Sequence, residues 1–114
     1  ELVNSAKQMD GYRLVVSCAD ADAKSLRGMA ETLRDKLGTS VVVLACENEG
    51  KVQVVAAVSK SLIGRMKAGE IVAQVAKVLG GKGGGKPELA MAGASDATHL
   101  KEALDGVEAF LAGR

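Results

Sequence analysis

Between Leu79 and Gly93 the chain reads LGGKGGGKPELAMAG, and five of its 14 glycines fall between Gly80 and Gly85. Lys82 and Lys86 stand among them, and Pro87, the one proline in the chain, follows. Glycine N–H groups approach phosphate oxygens with no Cβ in the way, and a lysine adds a point charge, so these residue types point to an anion. Glycine loses more backbone entropy on folding than any other residue, so the string needs a reason to be ordered. Glycines also end helices and let one backbone pack closely on another, which is the plainer explanation for some of them. A flexible linker fits less well, because helix and strand signals flank the string on both sides.

Two nucleotide motifs are excluded by context. Gly80 to Lys86 satisfies the first seven positions of G-x-x-x-x-G-K-[ST], but Pro87 stands where a hydroxyl would hold magnesium. That motif also leaves a strand and opens a helix, whereas here the string leaves a helix and Pro87 pushes Lys86 towards an extended conformation. The dinucleotide fingerprint G-x-G-x-x-G fails as well, since Lys86 falls at the place of its third glycine. Other catalytic groups are scarce. The sole histidine, His99, reads as a surface or packing residue, Cys18 and Cys46 sit in apolar runs, and Asp20 and Asp22 read as loop and helix cap. No metal cluster and no nucleophile–base pair follows from this set, so the segment is expected to be non-catalytic.

The net charge of +1 conceals a partition. Residues 1–50 carry six basic and eight acidic side chains, residues 51–87 seven and one, and residues 88–114 two and five. The middle third is therefore at +6, and it ends on the glycine string. Such asymmetry points to an anionic partner, with Arg65 and Lys67 as further candidate contacts beside the string. Tyr12 and Phe110 are the only aromatics, so there is no stacking platform of rings for single-stranded bases, and recognition is expected to use backbone and shape.

At 114 residues the chain is the size of one domain, with a core of small aliphatic side chains. No apolar run is long enough to cross a bilayer, and the two cysteines suit a reducing, cytoplasmic compartment. Tyr12–Ala19 reads as a strand. Leu26, Ala30, Leu33 and Leu37 keep helical spacing between a capping Asp22 and a terminating Gly38. Val41–Cys46 and Val52–Val58 read as strands of a hairpin joined by ENEGK. Ile71, Val75 and Leu79 mark a second helix stopped by Gly80, ELAMAGA is a short strand, and Leu100, Leu104, Val107 and Leu111 mark a third helix. The expected fold is α/β, one compact domain with a mixed sheet of four to five strands, three helices and a glycine-rich loop between a helix and a strand. The chain opens without Met, and Leu2, Ala6 and Met9 keep helical spacing, so residues 1–10 are expected to be the end of an upstream linker helix and 11–114 the globular domain.

The stretches GGKGGGKPELAMAGASD, KAGEIVAQVAKVL and RGMAETLRDKLGTSVVVLAC resemble the C-terminal domain of alanyl-tRNA synthetases, within the wider set of DHH-associated domains. The resemblance runs from Tyr12 onward. It implies a non-catalytic module of an alanine–tRNA ligase that grips the outer corner of tRNA and supports aminoacylation and editing by the full-length enzyme. By resemblance the partners are alanine tRNA and the rest of the synthetase, with a homodimer supported by the upstream helical segment. No cofactor is implied here; ATP, magnesium and zinc belong to the missing parts of the parent. On the same basis Lys82, Gly83, Gly84, Gly85, Lys86, Arg65 and Lys67 are the expected tRNA contacts. Two other readings remain: a module for protein interaction or oligomerisation, and the associated domain of a DHH-type phosphoesterase. In the latter a glycine-rich string ends in His, where this chain has Lys86-Pro87.

Overall fold

The computed structural model describes residues 7–8, 11–18, 22–48, 51–64, 67–94, 102 and 106–107. In chain order the elements are β1 (Lys7–Gln8), β2 (Arg13–Cys18), α1 (Ala23–Leu37), β3 (Ser40–Asn48), β4 (Lys51–Val58), a 3-10 turn (Lys60–Leu62), α2 (Ala68–Leu79), β5 (Lys82–Gly85) and β6 (Leu89–Ala94). One sheet holds all six strands in the order β1-β2-β3-β4-β6-β5. β2 and β3 pair in parallel and every other pair is antiparallel, so the sheet is mixed.

The helices form where capping and periodicity coincide. Asp22 accepts a hydrogen bond from the Ser25 backbone at 2.7 Å, which satisfies one orphan N–H of the first turn of α1. Gly38 and Gly80 end α1 and α2 with φ of 79° and 76°, values that a side chain resists. Strand alternation then divides the core. Val41, Val43, Val54, Ala56, Ala90 and Ala92 face Ile71, Val72 and Val75 of α2. Val15, Val42, Leu44, Cys46 and Val55 face Leu26, Ala30 and Leu37 of α1. The result is three layers, a helix on each face of the sheet.

Three expectations change. Lys7–Gln8 is extended rather than helical, pairing with Arg13–Leu14; it occupies the edge that β2 would otherwise leave open. The rest of residues 1–10 lies outside the described residues. The glycine string is an edge strand rather than a loop. The β3–β4 register reaches Asn48 opposite Lys51, so the five-residue connection shortens to a tight hairpin. Of the third helix, Glu102, Gly106 and Val107 are helical and Val107 is buried against the α2 side of the core, while Leu100, Leu104 and Leu111 lie outside the described residues.

Candidate nucleic-acid interface

The glycine string is held at both ends. The Gly81 N–H donates to the Ala76 carbonyl at 2.8 Å, closing α2. At the other end Lys86 and Leu89 exchange two backbone bonds, of 3.0 and 3.3 Å, around the Pro87-Glu88 turn. In an antiparallel ladder, pairs that exchange bonds alternate with pairs that do not. With Lys86 and Leu89 bonded, the register makes Gly84/Met91 and Lys82/Gly93 bonded pairs, and Gly83/Ala92 and Gly85/Ala90 non-bonded ones. The backbone N–H and C=O groups of Gly83 and Gly85 therefore point away from β6, along an edge that no other described strand pairs with, those of Gly85 lying close to Gly69 of α2.

The same alternation explains why glycine is required. Non-bonded pairs bring side chains closest together. A Cβ at Gly83 would run into the Cβ of Ala92, and one at Gly85 would lie 2.9 Å from that of Ala90. Gly85 also has φ of 151°. A Cβ at Gly81 would collide with the Gly93 carbonyl. Gly84, in a bonded pair, has open space where a Cβ would go. Packing thus accounts for Gly81, Gly83 and Gly85, and leaves Gly84 unexplained by it.

The Lys86–Glu88 turn gathers several elements. The Ala68 N–H at the start of α2 donates to the Pro87 carbonyl at 2.8 Å. The Val58 N–H and the Arg34 guanidinium donate to the Glu88 carbonyl at 2.9 and 3.2 Å. Lys67, the N-cap residue of α2, and Lys86 flank the first of these bonds, and both are exposed. Lys60, also exposed, follows the end of β4, which the Val58 bond ties to the same turn. Folding therefore brings Lys60, Lys67, Lys86 and the glycine main chain to one end and edge of the sheet. Lys82 contributes its backbone to β5, and Arg65 lies outside the described residues. Lys60 and Arg34 were missing from the sequence-based set. The +6 partition contained the signal for Lys60, whereas Arg34 belongs to a net-negative stretch and only the fold delivers it.

Among the described residues, no three His, Cys, Asp or Glu side chains come together to hold a metal. None of the described helices is long and apolar enough to cross a membrane.

A mixed sheet between α1 and α2, with a glycine edge strand, is the fold in which this chain carries the DHHA1 domain. The model of that family matches residues 11–113, and the chain belongs to it. The chain is 45% identical along its whole length, over 115 aligned residues, to the alanine–tRNA ligase of Herminiimonas arsenicoxydans, of which it spans 13%. It superposes on the C-Ala domain of Aquifex aeolicus alanyl-tRNA synthetase with a TM-score of 0.84 at 28% identity, covering 95% of this chain and 98% of that one. The DHH domain of a protein described as belonging to a family of ribosomal proteins gives a TM-score of 0.63 at 16% identity, covering 97% of this chain and 28% of that one. That second likeness is one of fold alone.

Proposed function

We propose that this domain binds tRNA as the non-catalytic C-terminal module of an alanine–tRNA ligase, reading backbone and shape at the outer corner. In that role it supports aminoacylation and editing in the cytoplasm, and ATP, magnesium and zinc act in the other domains of the parent. The observation that carries this reading is the meeting of Lys67 and Lys86 with the outward N–H groups of Gly83 and Gly85. Cations and unshielded main-chain donors at an exposed edge suit phosphate oxygens. The likeness to the Aquifex aeolicus domain supports the same conclusion.

The test is a titration with alanine tRNA and a second tRNA at several salt concentrations, using the wild-type chain and the Lys82→Ala/Lys86→Ala variant. Phosphate contacts carry no sequence information, so the variant is expected to weaken both complexes alike. The log–log salt slope should flatten by roughly 0.7 to 0.9 for each phosphate no longer neutralised. Unchanged affinity and slope in a folded double variant would return the string to a purely structural role.

A further inference from the structure

On the sheet face that carries α1, the described residues leave a strip uncovered. α1 packs on β3 and β4, while α2 covers β4, β5 and β6 from the opposite side. Leu89 and Met91 of β6 are half-buried at the margin of the α1 cluster, and beyond them Gly84 of β5 has open space above it.

The flank of α1 bordering this strip is fixed by the bond from Arg34 to the Glu88 carbonyl. Arg27, Glu31 and Arg34, at i, i+4 and i+7, share that flank. β6 runs parallel to β3, through their common antiparallel neighbour β4, and α1 runs against both in returning from β2 to β3. Moving from Arg34 back to Arg27 therefore follows the direction of β6 from Glu88 onward. Two helix turns rise about 10.5 Å and three strand residues about 10 Å. Arg27 thus stands level with Met91, whose cross-strand partner is Gly84. The Arg27 side chain is 57% exposed, and its 3.5 Å contact with Glu31 is a solvent-screened pair of little strength.

We propose that this strip, floored by Met91 and Gly84 with Arg27 beside it and Lys86 at one end, receives the face of an unstacked nucleobase of the bound RNA. The proposal rests on the reading that the domain binds RNA, and it adds a contact that the phosphate-directed edge does not supply. Met91 and Gly84 form a bonded pair, so their main-chain groups are spent on each other and the floor offers a phosphate nothing. A base face needs only flat apolar contact, and the missing Cβ of Gly84 keeps the floor flat. A guanidinium plane stacks on bases, which gives Arg27 a role that a lysine there would not fill. The strip supplies this contact without an aromatic ring.

Gly84→Val fills the floor from a position with open space at its Cβ, and Met91→Gln makes it polar; circular dichroism and thermal melts establish that each folds. Alanine tRNA is the probe, with heparin as a polyanion that has no bases. Each variant is expected to bind tRNA about five- to tenfold more weakly, near the low end for base stacking. The salt slope and heparin retention should stay at wild-type values. Unchanged tRNA affinity in either folded variant sinks the strip, and so does a weakening accompanied by equal reductions of salt slope and heparin retention. If the lysine variant is impaired while both strip variants bind normally, tRNA binding stands and the base contact falls. If the wild-type chain ignores tRNA, both fall together.

Discussion

Gly83 and Gly84 are neighbours of the same type, yet the ladder gives them opposite constraints. A methyl at Gly83 points into Ala92, whereas one at Gly84 points into open space and needs no unusual φ. Gly83→Ala is therefore expected to destabilise the domain by about 1–3 kcal/mol through overpacking. Gly84→Ala is expected to be neutral or to stabilise by up to about 1 kcal/mol, because it narrows the unfolded ensemble. Urea unfolding of the two variants checks the contrast, and equal destabilisation would refute the assigned register. In the sequence the five glycines form one string, and nothing in it separates those two. The distinction comes from the pairing of Lys86 with Leu89, a contact that local patterning does not encode.

Elements that declare themselves by capping and periodicity were legible. Asp22, Gly38 and Gly80 delimit α1 and α2 as read, and the two valine-rich runs became the central hairpin. β5 was not legible, since glycine is depleted in strands and a run without side chains shows no alternation. β1 was missed for a different reason: its two residues are held by the edge of β2 and by no pattern of their own. The cap itself carries a pH signature. The carboxyl of Asp22 lies below its ordinary value of 3.8, chiefly because the Ser25 backbone and then its side chain donate to it, with burial opposing. Stability from this bond is complete above the unfolded value and is lost as pH falls through the lower folded one. Asp22→Asn still caps but does not titrate, so its melting temperature should fall less steeply than wild type between about pH 4 and pH 2. Parallel acid limbs would show that the cap does not report on folding.

On the scale of the molecule, folding redistributes charge that looks merely partitioned along the chain. The net-negative first 50 residues supply Arg27 and Arg34 to the same side of the sheet that Lys86 borders. The site was half legible for this reason: the lysines could be counted, but the arginines acquire their place from α1 crossing back over the sheet. The chain spans 13% of the ligase it resembles. On the proposed reading, a module that grips by electrostatics and shape adds local concentration to chemistry performed elsewhere.

The anchoring of β5 at Ala76 and at the Lys86–Leu89 turn makes the string a ruler with a parity. Odd positions 81, 83 and 85 admit no side chain, while the even positions between them do. Counting back from the turn, one extra glycine between Gly83 and Gly84 would shift Lys82 onto the place of Gly81, where its Cβ meets the Gly93 carbonyl. Two extra glycines would restore the phase and leave only a longer loop, whose closure entropy grows slowly with length. The single insertion is thus expected to lower the unfolding midpoint more than the double one, a reversal of the usual order in which longer insertions do more harm. Thermal melts of both variants decide it, and a monotonic fall with insertion length would mean that β5 tolerates slippage. For a segment built almost wholly of glycine, what is specified is then the odd-and-even sequence of places where a side chain is forbidden or allowed.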